Sequence, residues 1–310
     1  MLGANAGLFV AVVFWGALVP VLADLLKRWD PYFVSVCRYG LAVPFLLLLC
    51  RSFEPGPAKP ARPRLFRIAG SGTFLAGFST FYTIGVAHSN VIAVAILSAC
   101  SPVIASLVEW VGTGNRPHRT VLFAIPLTLT GALLGSVQFQ DSAGGWGFQG
   151  GEIFVVAGSV CWAMYSFSIK YWLQDYSHVR VSYLTIGAGT IVLAFVYMIA
   201  ASTGHARALI TPSWADLAEI AWVSMGAVVA GVVLWNIGVG KLGVAVASLY
   251  LNLVPFVAFA TAILFGISPQ PKQIIGCLLV VSGIIQAQIF GPGFAPSTRA
   301  AKAMDEEAKR

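Results

Sequence analysis

Apolar segments of about twenty residues follow one another along most of this chain, and a helix of that length can cross a lipid bilayer. Charged residues make up only 10% of the 310 residues and hydrophobic residues 58%. Because about 25% of residues are charged in a typical soluble domain, a soluble core could not hide this much apolar surface. The sequence therefore predicts an all-α polytopic membrane protein. We predict ten transmembrane helices, at residues 5–25, 31–51, 65–87, 91–111, 119–138, 149–172, 180–203, 215–238, 244–267 and 270–290.

Lysine and arginine are unevenly distributed over the joints between these segments. One alternating set of joints holds fourteen of them, including Arg64 and Lys170, whereas the other set holds four, including Arg28. Cytoplasmic loops carry the excess of positive charge in membrane proteins, so both termini are expected in the cytoplasm. The net charge of +7 is then explained by the cytoplasmic face, and no nucleic-acid partner is needed.

The stretch GVGKLG at 238–243 has the glycine spacing of a dinucleotide-binding loop. Such a loop needs an acidic residue about 20 positions further on, and no charged residue occurs between Leu242 and Pro271. A nucleotide site is therefore excluded, and we interpret the glycines as a tight turn between two helices.

An internal repeat gives this stretch another meaning. IGVGKLGV at 237–244 matches IGVAHSNV at 84–91 with an offset of 153, and Trp15 matches Trp162 with an offset of 147. We interpret the chain as two five-helix repeats. Because each repeat has an odd number of spans, the two repeats enter the membrane from opposite sides and have opposite orientations. The predicted boundaries are 1–143 for the first repeat, 144–290 for the second and 291–310 for a mobile cytoplasmic tail. Inverted repeats place a substrate site near the membrane midplane, where they meet.

Polar and aromatic side chains in the middle of the spans are the candidate site residues, because polarity facing lipid is unfavourable. Arg38 is an anchor for a substrate carboxylate, a structural link to helix-end carbonyls, or a side chain that extends to the extracytoplasmic surface. Trp15, Tyr82, Trp162 and Trp235 occupy corresponding places in the two repeats and are expected to form a cavity wall. The predicted substrate-binding residues are Arg38, Phe78, Tyr82, Ser98, Trp162, Tyr165, Trp235, Asn236, Tyr250 and Asn252. Three prolines, Pro20, Pro102 and Pro255, are predicted helix hinges, because proline removes a backbone donor.

These features resemble the drug/metabolite transporter superfamily, and within it the EamA-type ten-helix exporters, including bacterial aromatic amino-acid exporters. The resemblance covers roughly residues 5–290 and rests on FWGALVP at 14–20, Arg38, YTIGVAHSNVIAVAILSACSP at 82–102 and WNIGVGKLGVAVASLYLNLVP at 235–255. It implies export of small metabolites, most of all amino acids, across a bacterial inner membrane by alternating access. Drugs or other metabolites are the alternative cargo. The acidic residue that often follows the fourth and ninth helices of this family is absent here.

Other classes of protein fit the sequence less well. The four histidines lie at or near joints, and neither HExxH nor GxSxG occurs, so an enzyme is not expected. The five cysteines form no CxxC pair, and we predict neither a metal nor another cofactor. A membrane receptor or scaffold is the remaining non-transport alternative. The expected partners are a small-molecule solute and the lipid bilayer, and the expected state is a monomer.

Acidic side chains avoid the middle of the predicted spans. Glu109, Glu152 and Glu219 all lie near predicted span ends, and Asp24 borders one. Proton-driven carriers usually place a titratable group inside the bundle. The sequence therefore predicts gradient-driven movement or exchange of the solute, without obligatory coupling to protons or sodium.

Overall fold

Long helices packed side by side make up nearly all of the structure, a computed structural model that describes residues 2–53, 62–114, 116, 119–140, 145–207, 212–242 and 250–289. The helices are α1 (Leu2–Leu25), α2 (Pro31–Phe53), α3 (Arg62–Ala87), α4 (Val91–Ala99), α5 (Ser101–Thr113), α6 (Arg119–Ser136), α7 (Glu152–Trp172), α8 (His178–Ser202), α9 (Trp214–Trp222), a π-helical segment (Val223–Ala230), α10 (Gly231–Leu242), α11 (Val254–Leu264) and α12 (Pro271–Ile289). The chain is thus helical, as the sequence predicts.

Six of the described helices are long and apolar enough to cross a membrane. They are Gly3–Leu25, Pro31–Ser52, Arg119–Ser136, Glu152–Trp172, His178–Ser202 and Trp214–Trp235. The bent pair α4–α5 adds a seventh if it is counted as one span, and α11 and α12 are shorter apolar helices. The count of ten spans stays a prediction.

Two of the predicted spans are interrupted in the middle. The predicted helix 91–111 is two helices that meet at Cys100 with a bend of 43°. Pro102 lies in the first turn of α5, where its missing N–H is not needed, and Pro255 takes the same place in α11. Pro20, by contrast, lies inside the unbroken helix α1.

The interpretation of GVGKLG as a turn is wrong for most of its length. Helix α10 continues through Leu242, so Gly238 and Gly240 are helical. A Cβ atom on Gly238 would lie 2.5 Å from the side chain of Leu8. The absence of a side chain at Gly238 therefore lets α10 pack closely against α1. Residues 243–249 lie outside the described part of the chain.

A π-helical segment joins α9 to α10, and the sequence did not predict it. It runs from Val223 to Ala230, and its hydrogen bonds span five residues instead of four. Gly226 faces the ring of Phe14, and the Trp15 indole Nε1 donates a 3.0 Å hydrogen bond to the carbonyl of Ala227. Helix α1 is therefore fixed against the π segment by aromatic side chains.

A short hairpin follows α6. Strands β1 (Gln138–Gln140) and β2 (Gly145–Gly147) pair antiparallel, with Phe139 opposite Trp146. Lys272 Nζ donates a 2.7 Å hydrogen bond to the carbonyl of Val137, just before β1. The fifth predicted span, 119–138, ends inside β1, and neither strand is among the predicted elements.

The contacts between helices repeat between the two parts of the chain. Helix α1 packs on α10 and α11, as α7 packs on α3 and α5. Likewise α2 contacts the π segment, as α8 contacts α3. The pairs α2–α8 and α6–α12 each join two helices that occupy the same position in the two parts of the chain. Individual contacts follow the same rule. The position of Gly85 against Val155 corresponds to that of Gly238 against Leu8, at offsets of 153 and 147.

The closest backbone approach between α6 and α12 is made at glycines. A Cβ on Gly131 would lie 2.5 Å from the carbonyl oxygen of Gly276, and one on Gly276 would lie 2.6 Å from that of Gly131. Backbone atoms on both sides cannot move aside as a flexible side chain could. Contacts between small residues of this kind drive helix packing in membranes.

We expect Gly131→Ala to lower the melting temperature of the purified protein, because overpacking at a backbone contact costs about 1–3 kcal/mol. The matched control is Gly187→Ala in α8, where a Cβ meets no atom within 4 Å. That change should leave stability equal or slightly higher, since alanine is the better helix former. Thermal unfolding in detergent compares the two variants, and equal melting temperatures would contradict the α6–α12 packing.

Candidate functional site

A central cavity of about 170 Å³ lies where helices from both parts of the chain converge. Helices α1, α2, α3, α4, α5, α7, α8 and α10 contribute to its wall, together with the π segment and the start of α11. Its lining consists of Trp15, Leu18, Arg38, Tyr39, Leu75, Phe78, Tyr82, Ser98, Ala99, Ser101, Pro102, Ser159, Trp162, Tyr165, Ile186, Ala227, Val228, Val232, Trp235, Leu251, Asn252 and Val254. A site shared by so many elements depends on the whole fold.

Aromatic rings form two groups on the wall of this cavity. In one group, the rings of Trp15 and Trp235 lie 5.4 Å apart between centroids. In the other, the Phe78 ring lies 5.0 Å from that of Trp162 and 5.2 Å from that of Tyr82. Tilted ring pairs at these distances are favourable beyond the area that they bury. The two groups present flat apolar surfaces to the cavity.

Arg38 supplies the charge of the cavity wall. Its side chain is 1% exposed, and its Nη2 donates a 3.0 Å hydrogen bond to Ser79 Oγ. The guanidinium carbon lies 4.9 Å from the ring centroid of Tyr39. Its Nε atom has no hydrogen-bond partner. The backbone around it is held as well, because Ser224 Oγ donates to the Arg38 carbonyl at 2.7 Å.

Both helix interruptions border the cavity. Ser98, Ser101 and Pro102 flank the break between α4 and α5, and Asn252 lies just before α11. The Ser101 hydroxyl donates to the Ser98 carbonyl at 2.6 Å. Irregular backbone at membrane depth is tolerated where it lines a cavity, because its polar groups find partners there. The breaks therefore bring neutral polar groups to an otherwise apolar wall.

Most of the residues that the sequence nominated for binding lie together on this cavity. The lining includes Arg38, Phe78, Tyr82, Ser98, Trp162, Tyr165, Trp235 and Asn252, and also Pro102. Tyr250 is outside the lining, and its hydroxyl donates to Asn5 Oδ1 at 3.0 Å. Pro20 and Pro255 are outside it too. The side chain of Asn236 lies outside the described part of the structure.

Three polar lining residues are not among the predicted substrate-binding residues: Tyr39, Ser101 and Ser159. Ser159 carried a usable signal, since it lies three residues before Trp162 and so shares a helix face with it. Tyr39 follows Arg38 directly and therefore does not share its helix face, and only the neighbouring helices determine that both reach the cavity.

The described carboxylates lie away from the cavity, in ion pairs or helix caps. Arg28 binds Asp216 at 2.6 Å, Glu219 at 2.8 Å and Asp24 at 2.9 Å, which links α1 to α9. The hydrogen bonds that the Arg28 guanidinium donates to Asp216 and Asp24 raise its pKa above the ordinary value. Elsewhere Glu109 pairs with Lys170 at 2.6 Å between α5 and α7.

Three further carboxylates, Asp175, Asp30 and Glu152, complete the set in the described part of the chain. Arg64 pairs with Asp175 at 3.0 Å, and Asp30 accepts the backbone N–H groups of Tyr32 and Phe33. Glu152 accepts from the hydroxyl of Ser89 and from two backbone N–H groups. In the described ranges, no three His, Cys, Asp or Glu side chains cluster closely enough to hold a metal ion.

Comparison with known proteins agrees with a transport cavity. The model of the EamA-like transporter family matches the chain twice, at residues 3–137 and 149–287. Two proteins of Bacillus subtilis (strain 168) named "Uncharacterized transporter" are similar. YyaM is 21% identical and covers 89% of this chain and 90% of its own length, and YrdR is 23% identical and covers 91% and 89%.

A third relative has a more specific name. The "Probable terminal-alkyne amino-acid exporter" of Streptantibioticus cattleyicolor is 25% identical, over 90% of this chain and 91% of its own length. A solved crystal structure superposes with a TM-score of 0.66 and 17% identity, covering 93% of this chain and 99% of the other, which shows that the fold is shared. Because the family model covers most of the sequence, the chain belongs to the EamA-like transporter family and is a multi-pass membrane transporter.

Proposed function

We propose that this transporter exports small amino acids with apolar side chains, and that the central cavity holds them during transport. The observation that carries the proposal is the cavity itself, which combines aromatic and aliphatic walls with one buried guanidinium and a few neutral polar groups. An amino acid has the same combination of an apolar side chain and a charged end. The name of the Streptantibioticus cattleyicolor relative supports this choice of cargo.

The size of the cavity favours small metabolites over drugs. A cavity of 150 Å³ accommodates benzene, whereas pockets for drug-sized ligands run from about 300 to 1,000 Å³. At about 170 Å³, the central cavity matches an aliphatic amino acid and would have to widen for an aromatic one. Drugs and other large metabolites are therefore the less favoured cargo.

Two inverted five-helix repeats, at 1–143 and 144–290, would move the solute by alternating access. The family model matches the chain twice, which supports this duplication. The helix contacts support it too, because the contacts of α1 and α2 with the second part have counterparts in those of α7 and α8 with the first. In this arrangement ten spans cross the membrane, with α4–α5 as the fourth, α9 to α10 as the eighth and α11 within the ninth. Since both repeats contribute to one cavity, a monomer is sufficient for transport, and no catalytic chemistry is required.

Transport should depend on the aromatic wall. We expect Trp162→Ala to raise the half-saturating concentration of L-leucine by up to about tenfold, since an aromatic contact contributes about 0.5–1.5 kcal/mol. The measurement is counterflow of radiolabelled L-leucine in proteoliposomes. The matched control is Trp214→Ala, since Trp214 is 87% exposed and lies at the start of α9. Equal kinetics in both variants would contradict a solute path through the cavity.

Both termini should lie in the cytoplasm of a bacterial inner membrane, as the distribution of Lys and Arg predicts. Green fluorescent protein fused after Arg310 is expected to fluoresce. Alkaline phosphatase fused after His205, in the joint between α8 and α9, is expected to be active, because it works only outside the cytoplasm. The opposite pair of results would overturn the proposed orientation and the count of ten spans.

Transport should need no proton gradient. Among the described residues, no Asp, Glu or His lines the cavity, and each of the seven carboxylates in those ranges has a partner elsewhere. In sealed vesicles with equal L-leucine on both sides, an imposed pH gradient is expected to cause no accumulation. Accumulation that a protonophore abolishes would contradict this, and Glu109→Gln would then test the nearest candidate carrier of the proton.

A further inference from the structure

The guanidinium of Arg38 is a buried charge that the described protein groups leave only partly satisfied. Its Nη2 donates a hydrogen bond to Ser79 Oγ, while its Nε donor has no partner. Burying an ion without an opposite charge is costly in a protein interior, and more so at membrane depth. Such a group is retained where it faces a cavity and meets a partner that comes from outside.

No described carboxylate can be that partner. Arg38 has no carboxylate oxygen within 4.0 Å among the described residues, and no Asp or Glu appears in the lining of the cavity. The described carboxylates are engaged with other groups, as at Asp216 with Arg28 and at Glu109 with Lys170. Within the described part of the chain, no opposite charge compensates Arg38 in the cavity wall.

We propose that Arg38 recognises the carboxylate of the solute, and that the ammonium group of an amino acid is dispensable for binding. This inference rests on the proposed function, since it names the part of the cargo that the cavity selects. The solute class is then small apolar monocarboxylates, of which amino acids are one kind. Amines and cationic drugs are excluded by the same charge.

The arrangement around Arg38 favours a carboxylate over a cation for geometric reasons too. Ser79 holds one end of the guanidinium, and the ring of Tyr39 lies beside it, so the side chain is oriented before the solute arrives. A guanidinium presents its donors as a planar fork that matches the two oxygens of a carboxylate. The neutral groups of Ser98, Ser101 and Asn252 offer an ammonium group no opposite charge.

The first test uses the wild-type protein and three ligands that share one carbon skeleton. L-Leucine has both charged groups, 4-methylpentanoate lacks the ammonium group, and 3-methylbutylamine lacks the carboxylate. Binding is followed by intrinsic fluorescence, since Trp15, Trp162 and Trp235 line the cavity. We expect the two carboxylates to bind with affinities within about threefold of each other, and the amine to bind at least about 30-fold more weakly.

The second test changes the charge. Arg38→Met should weaken the binding of both carboxylates by at least about 30-fold, because truncating one partner of a buried charge pair removes that much affinity. Arg38→Lys keeps the positive charge and should therefore retain part of the affinity for the two carboxylates that Arg38→Met loses. Arg67→Met is the matched control, because Arg67 is exposed on α3. This variant should have the same affinity as the wild type for each of the three ligands.

The two readouts separate this inference from the proposed function. Equal binding of the amine and the acids by the wild type, or no binding of either acid, would overturn the role of Arg38. That result holds even if Arg38→Met fails to fold, because the ligand series does not depend on a variant. Counterflow of the same ligands in proteoliposomes tests transport by itself. Selective binding of the acids without any flux would contradict the proposed function and leave the recognition of carboxylates intact.

Discussion

A membrane interior offers the backbone no water, so each N–H and C=O group must find its partner within the protein. This constraint accounts for the long helices and also for the places where they stop. The breaks at Cys100 and before Val254 both adjoin the central cavity, where Ser101 and Asn252 contribute side chains. Both breaks thus bring irregular backbone and neutral polar side chains to the cavity.

Small residues then determine how closely the helices approach. Gly131 and Gly276 bring the backbones of α6 and α12 together, and Gly238 does the same for α10 against Leu8 of α1. Close contacts of this kind hold the helix pairs α6–α12 and α1–α10 together, while the larger aromatic side chains of α1, α3, α7 and α10 meet around the cavity.

Much of this could be predicted from the sequence, and the limits have physical reasons. The scarcity of charge predicts a helical membrane protein, and corresponding residues such as Trp15 and Trp162 indicate which rings share the cavity. The prediction that Tyr250 lines the cavity was wrong, because the direction of a side chain beside a helix break depends on backbone geometry. Hydrophobic periodicity carries no information about that geometry. The π segment and the hairpin β1–β2 were not predicted for a similar reason, since neither has a local residue pattern that distinguishes it from an α-helix or a turn.

The binding roles themselves are a separate matter from placement. Arg38, Tyr82 and Trp235 line the cavity, and their contact with a solute is a proposal. What the structure adds is the surroundings of Arg38: a serine on one side, an aromatic ring on another and no carboxylate within the described residues. Neighbours of this kind come from separate helices and are invisible to a reading of one segment at a time.

The π segment bears on how the two parts of the chain diverged. An α-helix turns by about 100° per residue, and a π turn accommodates an additional residue in nearly the same length. The offset between corresponding residues grows from 147 at Trp15 and Trp162 to 153 at Tyr82 and Trp235, and Val223–Ala230 lies within the interval where it grows. Within this segment the Ala227 carbonyl accepts the hydrogen bond from the Trp15 indole, so the widened turn is also the point at which α1 is attached to the helix of the other part.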